Sequence, residues 1–249
     1  MDDATLRRRL WEGMLEAVRL TGRAAIGSVH EVDGALAAVV PDVPGSSLLN
    51  VVAPRDAAAP ALPVAALDET YRAAGLAKWG VWIDPARGPG AEAAARDAGL
   101  VLDTVTTQMG VGLDELHLDD APALAPLDLA TVGMINDRAY GYDDRRFERL
   151  VGALPPDAGH ALGIDADGGP ASAVYAFDHD GNALVWLVAT LPEARRRGLA
   201  GAAMRGALRA ARDRGCTSTT LWSAGMARSL YAALGYRALG ELHLWERRP

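Results

Sequence analysis

Three consecutive arginines stand between an apolar run and a helical pattern, and they are the strongest chemical signal in the sequence. Residues 190–200 read Thr-Leu-Pro-Glu-Ala-Arg-Arg-Arg-Gly-Leu-Ala. The first N–H groups of a helix have no intrahelical acceptor and form the positive end of its dipole, so a helix start binds anions. Three cations there oppose the dipole, and a bound anion would compensate them. Gly198 and the small Ala200 would let a phosphate group approach the backbone closely.

The alternative interpretation of this segment is a basic first turn on an exposed surface helix. The segment is not a dinucleotide-binding fingerprint, because the three glycines of that motif are missing. It is not a nucleoside-triphosphate loop either, because no Gly-Lys-Ser/Thr follows. The sequence therefore indicates a phosphate-bearing ligand of another kind.

The elements that must position the arginines follow from the hydrophobic pattern. Residues 183–190 are apolar throughout, which is typical of a strand buried on both faces. Residues 199–214 place apolar side chains on one helical face and arginines on the other. The pattern then predicts a strand at 217–222, a helix at 226–234 and a final strand or strand pair at 236–246. The strand–helix–strand crossover should be parallel and right-handed.

The first half of the chain follows a similar plan. The pattern predicts strands at 35–40, 48–53 and 79–83, helices at 61–75 and 91–98, and a pair of strands at 100–113. Aligning Gly99 with Gly235 places Ala95 opposite Tyr231. Strand–helix–glycine–strand is a common order, yet the correspondence indicates an internal duplication. The proline- and alanine-rich segment 121–126 predicts a linker between a domain at 1–120 and a domain at 127–249.

Composition excludes several classes of function. The chain has 249 residues and a net charge of −7, which argues against nucleic acid as the main partner because phosphate backbones need a basic face. The excess acid lies in residues 1–125, with 18 acidic and 10 basic residues, against 14 and 15 in residues 126–249. No apolar window approaches the roughly 18 residues of a membrane span, so no membrane partner is expected.

One cysteine, Cys216, rules out an intrachain disulfide and a zinc cluster of cysteines. We interpret it as a small buried residue. The acidic start of the chain shows no secretory signal, and we therefore expect a cytoplasmic protein.

Two motifs resemble the GNAT superfamily of acyl-CoA-dependent N-acyltransferases. The family signature Arg/Gln-x-x-Gly-x-Gly/Ala, which follows an apolar strand, is matched by Arg195, Gly198 and Ala200. A second family segment, a helix with Leu-Tyr and then Gly-Phe/Tyr, is matched by Leu-Tyr at 230–231 and Gly-Tyr at 235–236.

The resemblance covers residues 127–249 and implies an α+β fold, a mixed and mostly antiparallel sheet flanked by helices. Residues 1–120 resemble a degenerate copy without the CoA motif, because the loop 53–63 has no glycine and Ala95 replaces the tyrosine. The whole chain thus resembles tandem GNAT proteins with one working site.

The resemblance also implies a role for each matched residue. Backbone groups of Val188, Ala189 and Thr190 would bind the pantetheine arm and polarise the thioester carbonyl. The pyrophosphate would be held by amides and side chains of Arg195, Arg196, Arg197, Gly198, Leu199 and Ala200. Tyr231 would protonate the leaving thiolate, because a phenol can donate to a developing anion; the alternative is a half-buried tyrosine that only packs on the core.

The sequence departs from the family at two contacts. Where the family often has an asparagine before the second helix, this chain has Ala224, and Ser223 is the substitute contact to pantetheine. The predicted buried strand has no carboxylate to act as a general base. Water, Glu193, Asp178 or His179 could take the proton, although each of these side chains is also typical of a solvated turn.

The acceptor site should be lined by residues 136–144, between the first two helices of the second half. Paired tyrosines beside aspartates there suit a cationic amine. A helix cap with exposed acids is an equally good interpretation of the same residues.

We therefore expect direct transfer of an acetyl group from acetyl-CoA to a primary amine of a small molecule, in a ternary complex. Positioning and stabilisation of the oxyanion would supply most of the rate. The alternatives are a non-catalytic acyl-CoA-binding or interaction module and an acyltransferase that uses another acyl-CoA. No metal is expected, and a homodimer is left open.

Overall fold

The computed structural model describes residues 1–59 and 61–249, which form two compact units. Unit 1 comprises Met1–Gly13, Met109–Leu221 and Met226–Leu239, and unit 2 comprises Met14–Gln108, Trp222–Gly225 and Gly240–Pro249. Within the predicted loop 53–63, Pro60 lies outside the described residues.

The described residues contain seven α-helices and eleven strands. The helices are α1 (Asp3–Arg23), α2 (Val64–Ala73), α3 (Pro89–Asp97), α4 (Leu129–Tyr140), α5 (Arg146–Gly152), α6 (Leu199–Asp213) and α7 (Arg228–Ala233). The strands are β1 (Ser28–Val32), β2 (Ala35–Val39), β3 (Val51–Pro54), β4 (Trp79–Ile83), β5 (Val101–Gly112), β6 (Ala125–Pro126), β7 (His160–Ala166), β8 (Gly169–His179), β9 (Asn182–Thr190), β10 (Ser218–Ser223) and β11 (Arg237–Arg247). Among these, every helix is too short or too polar to cross a membrane.

Unit 1 contains a mixed, mostly antiparallel sheet in the order β6-β7-β8-β9-β10-β5. The pairs from β6 to β9 are antiparallel, whereas β9 and β10 are parallel and joined through α6. Asp180 and Gly181 both have positive φ, as a two-residue hairpin turn between β8 and β9 requires. Helix α6 packs on β7, β8 and β9, and α4 packs on β8 and β9.

The apolar face of α6 forms part of the core of unit 1. Met204 and Leu208 of α6 are buried against Val174 of β8 and Val185 of β9. Burying each such side chain contributes roughly 1.5–3 kcal/mol. This packing fixes the position of the α6 start.

Unit 2 has the order β1-β2-β3-β4-β11-β5, again with one parallel pair, β3 with β4, that flanks a crossover helix, α2. Tyr71 of α2 stacks on Trp79 with ring centroids 5.4 Å apart, and its hydroxyl donates to the Ala38 carbonyl at 2.9 Å. The predicted pair of strands at 100–113 is one strand, β5, in which Gly110 does not have the positive φ of a tight turn. Strand β1, which the hydrophobic pattern did not predict, is mostly exposed.

The compact units do not follow the predicted boundaries. The segment 121–126 packs within unit 1, where β6 pairs with β7 and the Arg209 side chain donates to the Ala121 carbonyl. Residues 240–249 belong to unit 2, because β11 pairs with β4 from His243–Ile83 to Arg247–Trp79. The assignment of a degenerate and a catalytic half stays a prediction.

Gly206 of α6 lies close to the 121–126 segment. A Cβ at this position would lie 2.6 Å from the Pro122 carbonyl oxygen and 2.6 Å from Leu124 Cγ. Substituting Gly206→Ala should therefore lower the free energy of unfolding by about 1–3 kcal/mol through overpacking. The melting temperature should fall by about 2–4 °C per kcal/mol.

Gly201→Ala in the same helix is the matched control. Its Cβ would meet Leu230 Cδ1 at 3.6 Å, an ordinary contact, so helix propensity should stabilise it by up to about 1 kcal/mol. Thermal melts of both variants check the prediction. Equal or rising stability in Gly206→Ala would contradict the close approach.

Candidate active site

The last residues of β9 have no partner strand on one side. Parallel pairing joins Ser218, Thr219 and Thr220 of β10 to Asn182, Ala183 and Leu184 of β9, and no later β9–β10 pair occurs among the described residues. On its other side β9 stays paired with β8 as far as Thr190. The β8–β9 register shifts where Trp186 has no partner, and such a bulge bends a strand.

The ladder with β8 determines which backbone groups face the unpaired side. The Leu191 N–H donates to the Ala171 carbonyl at 2.9 Å, so these two residues form a hydrogen-bonded antiparallel pair. Because pairs alternate along the ladder, Ala189 directs its backbone groups to β8, whereas Val188 and Thr190 direct theirs away from it. The predicted strand contacts to a ligand are thus available at Val188 and at the Thr190 N–H, because the Thr190 carbonyl accepts from Arg195 Nε at 3.4 Å. The Ala189 carbonyl accepts from Ser172 Oγ at 3.2 Å.

Helix α6 begins at the end of this strand with an open first turn. Gly198 is its N-cap, with φ of 78°, and no side chain caps the helix. The first backbone hydrogen bond at this end runs from the Ala202 N–H to the Gly198 carbonyl, at 3.1 Å. The N–H groups of Leu199, Ala200 and Gly201 therefore lack helical acceptors and can bind an anion. A Cβ on Gly198 would meet no atom within 4 Å, so space is left in front of the turn.

The three arginines have different partners. Arg197 pairs with Asp167 at 2.5 Å. Arg195 donates through Nη2 to the Ala139 carbonyl at 2.5 Å and through Nε to the Thr190 carbonyl at 3.4 Å. Arg196 is exposed with φ of 63°, and within the described part of the chain its side chain makes no hydrogen bond or ion pair. Arg196 is thus the arginine best placed to meet an incoming phosphate.

Tyr231 lies on α7 in the same unit and is 7 % exposed. Its ring meets Tyr236 edge-on at 5.8 Å, and the Tyr236 hydroxyl bonds Thr219 Oγ1 at 2.8 Å. Burial raises the pKa of Tyr231 well above its ordinary value, and nearby Tyr140 raises it further. The Tyr231 phenol therefore stays protonated at neutral pH and can act as a proton donor.

The predicted acceptor segment 136–144 is mostly the last turns of α4. Asp137 is buried and accepts the N–H groups of Phe147 at 3.1 Å and Glu148 at 2.8 Å, so it caps α5. Burial raises the pKa of Asp137. Asp144 pairs with Arg146 at 2.8 Å. Both carboxylates already have partners within the protein, so neither is free to bind an amine.

Two tyrosines of this segment stack on each other. The rings of Tyr140 and Tyr142 lie 6.1 Å apart, and the Arg146 guanidinium carbon lies 4.4 Å from the Tyr142 ring centroid. One face of Tyr142 is therefore already covered by a cation. Tyr140 is 47 % exposed and is the aromatic surface available to an acceptor.

The side chains considered as general bases are poorly placed. Asp178 and His179 pair with Ala183 and Asn182, at the end of β9 opposite Thr190. Seven residues of strand separate Ala183 from Thr190, or about 23 Å. Glu193 lies near the helix start but pairs with Arg138 at 2.7 Å, and its own backbone N–H and the neighbouring arginines lower its pKa.

Other predicted residues lie elsewhere. Ser223 belongs to unit 2, where it is buried and its hydroxyl donates to the Ala224 carbonyl at 2.9 Å; its contact to a ligand stays a prediction. Burial raises the pKa of Cys216 to about 11, so the thiol is a poor nucleophile. No cluster of three or more His, Cys, Asp or Glu side chains among the described residues could hold a metal ion.

The model of the acetyltransferase (GNAT) family matches residues 129–236. No curated protein sequence matches the chain. Many solved structures share the fold, a mixed α/β arrangement with a mostly antiparallel sheet flanked by helices. One is a GCN5-related N-acetyltransferase from Kribbella flavida, with a TM-score of 0.69, 18 % identity and 95 % of each chain covered.

Two further structures are similar along most of the chain. A GCN5-related N-acetyltransferase from Sphaerobacter thermophilus gives a TM-score of 0.56 at 15 % identity, with 94 % of this chain and 92 % of that chain covered. A tandem GNAT protein from the clavulanic acid biosynthesis pathway gives 0.59 at 16 % identity, with 95 % of this chain and 87 % of that chain covered. At these identities the likeness concerns the fold.

The open α6 turn can be tested with Ala200→Glu. A carboxylate in the first turn suits the helix dipole, so the fold should be at least as stable. The same carboxylate repels an incoming phosphate by about 1–4 kcal/mol at 4 Å, which predicts roughly tenfold or greater loss of CoA affinity in calorimetry. This position is preferable to Gly198, where a left-handed φ would strain any side chain.

Ala200→Gln, which has the same size without the charge, is the control. Its CoA affinity should lie well above that of Ala200→Glu. Equal affinities for the two variants would show that the α6 start does not bind the phosphates.

Proposed function

Residues 129–236 form a domain of the GNAT acetyltransferase family, and from this premise we propose that the chain transfers an acetyl group from acetyl-CoA to a primary amine of a small molecule. The match to this family supports acyl transfer from an acyl-CoA in general. The observation that carries the proposal is the presence, in unit 1, of an uncapped helix start, a strand end with free backbone groups and a buried, protonated phenol.

Different residues would bind different parts of acetyl-CoA. The N–H groups of Leu199, Ala200 and Gly201 and the Arg196 side chain would bind the pyrophosphate. The backbone groups of Val188 and Thr190 would bind the pantetheine arm in the place of a neighbouring strand.

The chemistry proposed is direct transfer in a ternary complex. The neutral amine attacks the thioester carbonyl carbon, and a backbone N–H of the β9 end stabilises the oxyanion. The carbon–sulfur bond then breaks, and Tyr231 gives its proton to the leaving thiolate. The amine loses its surplus proton to water, because Asp137, Asp144 and Glu193 are held in ion pairs or a cap.

We further propose that unit 2 holds a degenerate copy of the same domain. Helices α2 and α6 end with the same hydrogen bond, in which an N–H donates to the carbonyl five residues earlier. The Leu76 N–H donates to the Tyr71 carbonyl, and the Cys216 N–H donates to the Ala211 carbonyl. The ends of α3 and α7 match likewise, with donation from Leu100 to Ala95 and from Tyr236 to Tyr231. The positions in α3 and α7 are those that the predicted repeat aligns.

The helix start in unit 2 differs from the start of α6. Helix α2 has 10 residues against 15 in α6. Its N-cap is Pro63, which has no N–H, and the Val64 N–H already donates to the Leu62 carbonyl at 2.9 Å. Ala95 stands where unit 1 has Tyr231. These features support a single working site, in unit 1.

A non-catalytic acyl-CoA-binding module is the second candidate, and it is favoured by the partners that Asp137, Asp144 and Glu193 already have within the protein. Transfer from another acyl-CoA is a third. A cytoplasmic location and a homodimer stay predictions.

Thiol release from acetyl-CoA in the presence of a panel of small primary amines tests the proposal. We expect release that depends on the amine, with the acetylated amine detected by mass spectrometry. Tight acetyl-CoA binding without amine-dependent release would instead favour the binding module. Failure to bind acetyl-CoA would exclude both.

Tyr231→Phe isolates the proton donor from the packing. Loss of a general acid should lower kcat about 10²–10⁴-fold, while the Kd for acetyl-CoA stays within about twofold. The control is Tyr236→Phe, whose hydroxyl bonds Thr219 and should affect stability more than turnover. Comparable losses of kcat and affinity in Tyr231→Phe would mean that the ring only packs.

A further inference from the structure

Arg195 connects two elements that lie far apart in the chain. Its guanidinium donates to the Ala139 carbonyl in the last turn of α4, and also to the carbonyl of Thr190, the last residue of β9. The first contact spans 56 residues of sequence. Helix α4 carries the acceptor-side tyrosine Tyr140, and β9 carries the donor-side backbone groups.

The electrostatics explain why the guanidinium lies there. The last carbonyls of a helix have no intrahelical donor and form the negative end of its dipole, so a cation is stabilised at this end. Arg195 satisfies one of these carbonyls in α4, which ends at its Gly141 cap. Its guanidinium thereby has hydrogen-bond acceptors within the protein, in contrast to that of Arg196.

We propose that Arg195 is a positioning residue that ties the end of α4 to the end of β9, and so sets the acceptor amine against the thioester, instead of binding the pyrophosphate. This inference rests on the proposed function. The planar fork of arginine presents its Nε and Nη2 donors to the two carbonyls in a fixed geometry, whereas the lysine ammonium is a point charge on a flexible stem. Arg195 also lowers the pKa of Tyr140, whose burial otherwise raises it, as expected if the two side chains are neighbours.

Hydrogen exchange of the free protein tests the tie without any activity. In Arg195→Gln, peptides covering 136–145 should exchange about tenfold faster, because a hydrogen bond to a charged group contributes about 1.5–3 kcal/mol. Arg196→Gln is the matched control and should leave this exchange unchanged. Equal acceleration in both variants, or none in Arg195→Gln, would overturn the tie.

Binding and kinetics test the consequence. Arg195→Gln should leave the Kd for acetyl-CoA within about twofold and lower kcat/KM for the amine about ten- to a hundredfold, because a small misplacement costs that much. Arg195→Lys, which keeps the charge but not the rigid fork, should be intermediate. Arg196→Gln should instead weaken acetyl-CoA about tenfold.

The outcomes separate this inference from the proposed function. A tenfold loss of acetyl-CoA affinity in Arg195→Gln with unchanged exchange would make Arg195 a phosphate ligand and overturn the inference. Faster exchange at 136–145 in a protein that acetylates no amine would support the tie while the proposed function fails.

Discussion

The parallel pairing of β9 with β10 stops after Leu184, and the candidate site depends on this break. Buried backbone N–H and C=O groups need partners, and those of Val188 and Thr190 find none in a neighbouring strand. The unpaired Trp186 bends the strand at the same point. A ligand that supplies strand-like hydrogen bonds would therefore complete the sheet.

The same connection explains why a phosphate site lies beside the break. Two parallel strands need a crossover, here α6, which starts where β9 ends. The positive end of the helix dipole is thus placed at the carboxyl end of the strand, where ligands bind in open α/β sheets. One topological feature supplies both the backbone contacts and the anion site. Unit 2 repeats the crossover, but the first N–H of its helix, that of Val64, already donates to the Leu62 carbonyl.

Much of this arrangement could be predicted from the sequence, because it depends on local pattern. The apolar run of β9, the glycine before α6 and the spacing to Tyr231 are visible without a structure. Strand β1 was missed because its five residues are mostly exposed and show no apolar face. The segment 121–126 has the composition of a linker, and its contact with Gly206 depends on residues about 80 positions later.

The local sequence pattern does not predict the partners of the three consecutive arginines before α6. Arg195, Arg196 and Arg197 are identical in type, yet their partners are two carbonyls, none among the described residues, and Asp167. The difference comes from the left-handed φ of Arg196, which separates its side chain from its neighbours, and from residues of distant elements. The sequence alone therefore does not indicate which arginine has which partner.

The charge of Arg195 bears on the missing general base. Carbonyl partners carry no net charge, so Arg195 remains a cation after the pyrophosphate has been bound by its own ligands. A nearby cation lowers the pKa of an ammonium group, because it disfavours the charged form. Under the proposed function, an amine held near Tyr140 would therefore lose its proton to water more readily. The arginine that positions α4 would then supply by electrostatics part of what a carboxylate base supplies elsewhere, and this leaves Tyr231 as the one side chain that must transfer a proton.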